Sequence, residues 1–286
     1  MSGTQVGTVG EIWRYPVKSM GGEQLPRTEI GALGVPGDRG WALRDETAGE
    51  IRGAKKLPAL MRCEARYRTE PTADSVPPAD ITLAGGGSTA TDDPEVHARL
   101  SALLGRPITL WSRRPPEDRD HYRRGLPDHA DMDAELREIF GRTADEPLPD
   151  LSVLPPELFE FSSPLGTYFD VSPIHLLTRA SLAAMGPSAR FDRRRFRPNI
   201  LVDTAGDLVG LVEAGWVGRE IRVGTAVLRG ELRTMRCAMV VAAQPDLPKD
   251  PSVLRAIVRD ADQCLGLYAS VSRPGAVAVG DPVVLV

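Results

Sequence analysis

Hydrophobic residues along this chain fall mostly into short stretches separated by Gly, Pro and Asp. The clearest pattern runs over residues 221–227, where Ile, Val, Thr and Val occupy every second position, and this alternation predicts a half-buried strand. Similar short stretches predict strands at 4–18, 62–67, 80–83, 107–111, 199–203, 232–241, 268–271, 276–279 and 283–286, with two more inside 29–43. Short strands at this spacing favour closed or half-open β-barrels.

A few segments show helical spacing instead. Apolar residues recur three or four positions apart over 93–104, where Asp92 or Asp93 can cap a helix and Gly105 can end it. Shorter helices are predicted at 132–140, 179–185 and 253–259. These helices are too few and too short to form a bundle. The predicted fold class is therefore mainly β with peripheral helices.

The composition supports this class and divides the chain. Its 28 glycines and 25 prolines favour many short strands joined by turns. Between about residues 112 and 164 charged residues and prolines dominate, which is typical of a solvated linker and leaves open a lid or a mobile excursion. We therefore expect an N-terminal domain over 1–115, an excursion over 116–165 and a second domain over 166–286.

Charge and targeting patterns narrow the function classes. The net charge is -4, so nothing in the overall charge attracts nucleic acid or an anionic membrane. Residues 1–10 show no signal-peptide pattern, and no apolar run approaches the roughly 20 residues that span a bilayer. We expect a cytoplasmic protein that binds a small molecule and contacts neither nucleic acid nor a membrane.

Three cysteines are present, Cys63, Cys237 and Cys264, and no two of them form a CxxC pair. This argues against a disulfide framework or a structural zinc site and favours a reducing compartment. Cys237 follows Arg233 and Arg236, whose charges should favour its thiolate form, the form that binds soft metals or attacks sulfur. Read alone, it fits better a small buried apolar residue, which is the usual role of a free cysteine. We interpret Cys63 and Cys264 as structural.

Other polar residues have two interpretations each. Lys18 and Ser19 follow a predicted strand end and suit a phosphate group, or are ordinary surface residues. Arg39 either binds oxygen atoms of a ligand or pairs with Asp38. His175 lies in an apolar run and is either a core residue or a proton donor, and Asp170 either shares that site or forms a turn.

A group of arginines lies between residues 193 and 197. No aromatic platform or basic helix accompanies it, which argues against a nucleic-acid site. A turn that directs Arg197 and Asn199 inward onto an anionic ligand fits better. We expect the remaining arginines of the group to be solvated.

Six strings in order along the chain resemble one family. They are WRYPVKSM at 13–20, GDRGWAL at 37–43, DVSPIHLLTRASL at 170–182, RFRPNILVD at 195–203, RTMRCAMV at 233–240 and GDPVVL at 280–285. Together they resemble MOSC-domain proteins with an N-terminal MOSC β-barrel domain, similar to the mitochondrial amidoxime-reducing component and its bacterial relatives. The resemblance covers most of the chain except about 112–160.

The resemblance implies two β-barrel-like domains and a mononuclear molybdenum held by molybdopterin in a cleft between them. It places Cys237 on the cysteine that ligates molybdenum. It places Lys18, Ser19 and Arg39 on residues that hold the phosphate end and the pterin. Further cofactor contacts fall on or beside a second group, which comprises Asp170, Ser172, Arg197, Asn199, Arg236 and Tyr268.

Three functions are compatible with this resemblance. The first is an oxidoreductase that removes oxygen from N-hydroxylated or N-oxide substrates, with Asp170 and His175 beside Cys237 as candidate catalytic residues. Some bacterial relatives continue into an iron–sulfur domain, and this sequence has no cysteine cluster for one, so we expect a separate electron-donor protein. The second is a sulfurtransferase that carries a persulfide on Cys237. The third is a non-catalytic carrier of the cofactor.

Overall fold

The computed structural model describes residues 3–73, 75–188 and 190–286. Met1 and Ser2, which begin the segment without a signal-peptide pattern, lie outside the described residues. The strands are β1 (Thr4–Arg14), β2 (Glu23–Leu25), β3 (Arg27–Ile30), β4 (Trp41–Asp45), β5 (Glu50–Ile51), β6 (Glu64–Tyr67), β7 (Ala79–Thr82), β8 (Ser88–Ala90), β9 (Ile108–Ser112), β10 (Ile174–Thr178), β11 (Ile200–Thr204), β12 (Glu220–Val223), β13 (Ala226–Met235), β14 (Cys264–Arg273), β15 (Gly275–Ala278) and β16 (Pro282–Leu285). The helices are α1 (Val96–Leu104), α2 (Arg119–Tyr122), α3 (Met132–Phe140), α4 (Glu157–Glu160), α5 (Arg179–Met185) and α6 (Pro251–Asp260). The predicted class, mainly β with peripheral helices, is confirmed.

Seven strands close into a barrel in the order β11, β10, β14, β13, β12, β16 and β1. The ring closes because β1 pairs with β16 on one side and with β11 on the other. In β12, Ile221 and Val223 are fully buried while Glu220 faces outward, as the pattern predicts. The single strand predicted over 221–227 is wrong in its second half, because the chain turns after Val223, Thr225 is exposed and the buried Ala226 begins β13. Apolar side chains from all seven strands fill the barrel, among them Val9, Ile12, Ile174, Leu176, Ile200, Val202, Leu228, Leu267 and Val283.

The first region folds around a core of its own. Strands β5, β4 and β9 form one three-stranded sheet, and β6, β7 and β8 form another. Backbone bridges Val17–Trp41 and Gly21–Glu64 tie the turn after β1 to these two sheets. Their shared core includes Val17, Met20, Leu43, Leu57, Leu60, Ile81, Leu100, Ile108 and Leu110. Because β1 itself lies in the barrel, the turn that follows it connects the two cores.

The excursion is folded, which differs from the solvated linker that its composition favours. It forms α2, α3 and α4, and Tyr122 and Phe161 are buried against Tyr168. The charged residues find specific partners: Asp128 pairs with Arg52 at 2.6 Å. The prediction was wrong because the buried aromatics are isolated in a polar sequence and show no periodicity. The division into 1–115, 116–165 and 166–286 stays a prediction. Strand β1 belongs to the first range but lies in the barrel formed by the later strands.

Two helices, α3 and α6, frame the segment that contains Cys237. Asp131 and Asp250 cap them through bonds from the backbone N–H groups of residues 133 and 252. Gly141 ends α3 in the left-handed conformation, with φ +61°. The strand predicted at 232–241 is wrong in its second half, because β13 ends at Met235 and the chain turns into a short 3-10 helix over Ala238–Val241.

Candidate functional site

A narrow cleft opens where the turn after β1 meets β10, β11 and β14 of the barrel. Its cavity volume is small, about 40 Å³, and the empty space of about 490 Å³ along it includes open solvent. The side chains along it are Lys18, Ser19, Arg39, Phe169, Asp170, Ser172, His175, Phe196, Arg197, Asn199, Arg236, Met239 and Tyr268. All the site residues predicted from the sequence lie in this lining except Cys237. Their individual roles stay predictions.

The turn after β1 places Lys18 and Ser19 in the cleft. Ser19 has φ +72°, an uncommon value for a residue with a side chain, and its Oγ accepts a hydrogen bond of 2.9 Å from the backbone N–H of Ala54. The buried Lys18 Nζ donates to the Tyr168 carbonyl and to Asp170 Oδ1, both at 2.8 Å. The lysine is thereby fixed as a positive charge inside the cleft.

Asp170 closes the rim of the cleft beside Lys18 and remains a carboxylate. Desolvation raises its pKa, but the charges of Lys18, Lys55 and Arg39 outweigh this and hold the pKa well below its usual range. The side chain is 40% exposed, so water also solvates its free oxygen. An ionised Asp170 accepts hydrogen bonds at neutral pH and is not a proton donor there.

The buried ring of Tyr15 supports two arginines. The guanidinium carbons of Arg39 and Arg197 lie 4.9 and 4.1 Å from its centroid, within the range of cation–π contacts. Asp38 fixes this arrangement, because one carboxylate oxygen accepts from Arg39 and the other accepts from the Tyr15 N–H at 2.8 Å. Asn199 Oδ1 accepts from Arg39 at 3.3 Å. The pairing of Arg39 with Asp38 is therefore observed, and its binding to a ligand stays a prediction for a side chain that lines the cleft.

Arg197 has an unused donor in the cleft. Its Nη1 donates to the Met20 carbonyl, whereas its Nη2 is buried without a hydrogen-bond partner. Burial and the charge of Arg39 lower the pKa of Arg197 to about 10, so the group is still charged at neutral pH. Its backbone also has a positive φ of +55°. A buried guanidinium nitrogen without an acceptor is costly, and an anionic ligand would remove that cost.

His175 and Arg236 form a buried pair in the cleft wall. Arg236 Nη2 donates to His175 Nε2 at 2.7 Å, and Arg236 Nε donates to the Leu265 carbonyl at 2.7 Å. Because arginine only donates, the histidine is neutral with its proton on Nδ1, 3.4 Å from the Arg197 carbonyl. Burial and the Arg236 charge hold the pKa of His175 well below its usual range. This geometry argues against the expected role of His175 as a proton donor and favours a role in fixing Arg236.

Gly266 makes room for this pair. It has φ +94°, and a Cβ there would lie 2.4 Å from His175 Nε2 and 3.0 Å from Arg236 Nη2. Glycine meets both demands, because it tolerates the left-handed region and adds no atom.

Cys237 lies behind the cleft wall, directly after Arg236. It begins the 3-10 turn over 238–241 and is 9% exposed. Of the two arginines that suggested a thiolate, only Arg236 points toward the cleft. Arg233 instead pairs with Asp262 at 3.0 Å. Arg142 from the excursion, and not Arg233, is the second arginine near Cys237.

The cleft carries an excess of positive charge. Lys18, Arg39, Arg197 and Arg236 contribute four cations, whereas among the described residues of the cleft Asp170 and the Asp38 behind Arg39 oppose them. Tyr268 packs on His175, with ring centroids 5.7 Å apart, and adds a flat surface. Such a cleft suits a ligand with an anionic end and a planar, hydrogen-bonding body.

Sequence reasoning missed several residues of this region. Phe169, Phe196 and Met239 line the cleft. Phe196 and Met239 lie inside two of the family-like strings, and Phe169 directly precedes a third. They lie one or two positions in sequence from Asp170, Arg197 and Cys237, and this proximity could have marked them as residues of the site. No local signal marks Arg142, which lies in the polar excursion.

Comparison with known proteins places the chain in a family. Residues 6–100 match the MOSC N-terminal beta barrel domain, and residues 166–284 match the MOSC domain. The chain therefore belongs to the MOSC-domain proteins that also carry the MOSC N-terminal domain. This confirms the resemblance drawn from the six strings.

The chain is similar over 98% of its length to mitochondrial amidoxime-reducing component 1 from Mus musculus and from Homo sapiens, with 25% and 26% identity and 83% of each relative covered. Among solved structures it is similar to the YUAD protein from Bacillus subtilis, at 13% identity and a TM-score of 0.43, over 98% of this chain and 95% of that one. Within the described residues, no helix has both the length and the apolar character required to cross a membrane.

Proposed function

We propose that this protein binds a mononuclear molybdenum–molybdopterin cofactor in the cleft and acts as an oxidoreductase. The observation that carries the proposal is the buried Arg197 Nη2, which lacks an acceptor inside a cleft with four cationic side chains. A phosphorylated pterin would supply anionic and hydrogen-bonding oxygens of the kind this donor set lacks. The membership of the MOSC family supports the same cofactor.

The residues fit the cofactor in two groups. Lys18, Ser19 and Arg39 would hold the phosphate end, because the first two lie in a fixed turn and Arg39 is held by Asp38. Arg197, Arg236 and Tyr268 would hold the pterin, with Ser172 and Asn199 at its margin. Cys237 would be the thiolate ligand of the metal. When bound, the cofactor supplies the two-electron redox chemistry that these side chains lack.

The proposed reaction is the reduction of an N-hydroxylated or N-oxide small molecule. The relatives at 25–26% identity are named for reducing amidoximes, and this chain spans most of their length. Here Asp170 would accept a hydrogen bond from the substrate at the rim, and Lys18 would keep that carboxylate ionised. A separate protein would deliver the electrons.

The test is the molybdenum content of protein purified from a host that makes the cofactor. Wild type should contain stoichiometric molybdenum, and Cys237→Ser should lose most of it. Cys264→Ser is the matched control, because this cysteine also lies near Arg142 and Arg236 but outside the predicted site. Negligible metal in all three proteins would refute the proposal.

Activity is tested separately with a benzamidoxime-type substrate and an artificial electron donor. Loaded wild type should turn the substrate over, and loaded Cys264→Ser should do the same. A loaded wild type that reduces no N-oxygenated substrate would instead support a cofactor carrier.

Sulfur transfer is the second candidate, and the position of Cys237 favours it. This cysteine is 9% exposed, lies off the cleft lining and follows Arg236 directly, with Arg142 nearby. The Cys237 thiolate would attack the terminal sulfur of a donor persulfide and release the donor thiolate. Incubation with a cysteine desulfurase should then add one labile sulfur to wild type and none to Cys237→Ser, as seen by intact-mass spectrometry. An unchanged wild-type mass would exclude this candidate.

A further inference from the structure

Arg142 is a buried arginine between the two matched domains, and it reaches the peptide bond that precedes Cys237. It is 6% exposed. Its Nη2 donates to the carbonyl of Arg236 at 3.2 Å, and this oxygen belongs to the Arg236–Cys237 peptide. Its Nε donates to Gln263 Oε1 at 3.0 Å, while the backbone carbonyl of Gln263 accepts from the Arg236 N–H at 2.9 Å. Arg142 therefore braces the segment before Cys237 from two sides.

Gly141, which precedes Arg142, packs on the segment that follows Cys237. A Cβ at Gly141 would lie 3.2 Å from Ala238 Cα and 2.8 Å from Leu254 Cδ2, so the backbone there is in close contact with the turn. Arg255 of α6 donates to the Gly141 carbonyl and pairs with Glu146. The end of α3 is thus anchored to the second domain on both sides of Cys237.

Arg142 has no direct salt bridge within the described part of the chain, although the charge of Glu146 is near enough to act on it. Among the described residues, no carboxylate lies within 4.0 Å of the guanidinium of Arg142 or of Arg236. Their partners are backbone carbonyls, the Gln263 amide and neutral His175. Both Cys237 and Cys264 lie near these two arginines, and the Arg142 contact to the Arg236–Cys237 peptide distinguishes Cys237 from Cys264.

We propose that Arg142 is a positioning residue for Cys237, because it holds the Arg236–Cys237 peptide in place from the excursion. This inference rests on the proposed function only where it concerns metal retention. It assigns a part of the site to the excursion, which neither matched domain covers.

Three variants separate this role from a merely structural one. Arg142→Met fills the space without charge, and Arg142→Lys retains the charge with fewer donors. Arg195→Met is the matched control, because Arg195 is also buried and donates only to carbonyls, at the far end of the same turn. All three proteins are compared with wild type, both free of cofactor and purified from a cofactor-producing host.

In cofactor-loaded protein the readout is the molybdenum-to-pterin ratio after dialysis against a chelator. Residues that orient a metal ligand typically affect metal affinity about 10- to 100-fold, so Arg142→Met should lose metal at least about tenfold more readily while it keeps the pterin. Arg142→Lys should recover most of the loss, and Arg195→Met should keep the wild-type ratio. A wild-type molybdenum-to-pterin ratio in Arg142→Met, or equal ratios in Arg142→Met and Arg142→Lys, would overturn the proposal.

In cofactor-free protein the readout is hydrogen exchange at the Arg236 amide, normalised to global stability. Arg142→Met should speed this exchange about tenfold or more, since it removes a hydrogen bond to a charged donor. Arg195→Met should leave it at the wild-type rate. Unchanged exchange in Arg142→Met would refute the bracing role even if wild type binds molybdenum. Faster exchange in a protein that binds none would leave the bracing role standing and refute only the proposed cofactor.

Discussion

The substitution Gly266→Ala tests the packing of the His175–Arg236 pair. The backbone at Gly266 has φ +94°, where a residue with a side chain costs about 1–3 kcal/mol. The new Cβ would also lie 2.4 Å from His175 Nε2, and such overpacking costs a further ~1–3 kcal/mol. We therefore expect a loss of about 2–6 kcal/mol, which is a large share of the ~5–15 kcal/mol that stabilises a typical domain.

Gly280→Ala is the matched control for this prediction. Gly280 has φ +92°, nearly the same as Gly266, but a Cβ there would have no atom within 4 Å. The control should thus lose only the ~1–3 kcal/mol of backbone strain. The difference between the two variants isolates the contact with the pair.

The assay is urea unfolding of cofactor-free protein, followed by fluorescence and circular dichroism to check that the transitions coincide. Gly266→Ala should unfold at clearly lower urea than Gly280→Ala. It should also retain less cofactor when it is made in a cofactor-producing host, because the displaced Arg236 lines the cleft. Equal destabilisation of the two variants would refute the argument that Gly266 is kept for the space it leaves to His175 and Arg236.

Two further predictions concern pH. The folded pKa of Asp170 lies below its ordinary value of 3.8, so its contribution to stability is present above pH 3.8 and is lost as the pH falls through the folded pKa. Asp170→Asn should therefore lose less stability than wild type between about pH 5 and pH 2. Parallel acid-unfolding curves of the two proteins would contradict this. Glu213 is buried, and one of its carboxyl oxygens contacts Thr178 and Ser181 while the other lacks a partner. Burial raises the pKa of Glu213 above 4.5. Its contribution to folding stability is therefore full below pH 4.5 and is lost as the pH rises through the folded pKa. Glu213→Gln should be more stable than wild type at pH 8 and lose this advantage near pH 4, as measured by urea unfolding.

Much of the fold follows from local sequence pattern. The buried positions Ile221 and Val223 of β12 and the helices at Met132–Phe140 and Arg179–Met185 are where the pattern places them. Ile221 and Val223 pack in the barrel core, and Leu182 and Met185 pack on a second core. Closure of the barrel depends on β1 pairing with strands more than 180 residues away, and no local pattern encodes that partner. The helix at α1 begins later than predicted, because Asp93 accepts from the Glu95 N–H and from Thr89 instead of capping the first turn.

The candidate site divides in the same way. Lys18, Arg39, Arg197 and Arg236 could be found because each lies in a string that resembles the family. Arg142 could not, since its contact with the Arg236 carbonyl depends on how a polar segment packs 94 residues away in sequence. The end of β13 before Cys237 was missed because Ala238, Met239 and Val240 are apolar and look like a continued strand. The turn there accompanies a hydrogen bond from the Arg236 N–H to the Gln263 carbonyl, which local sequence does not reveal.

The position of β1 has a consequence for how the protein forms. Thr4 pairs with Leu285, so the ring joins a strand that is synthesised early with one that is synthesised much later. During translation, β1 leaves the ribosome long before β11 and β16 exist, and the early sheets can assemble around their own core while it waits. Closing so long a loop is entropically costly, so we expect ring closure to be a late and slow step of folding. The turn with Lys18 and Ser19 follows β1 directly, and the cleft therefore takes its final shape only when the last strand has been added.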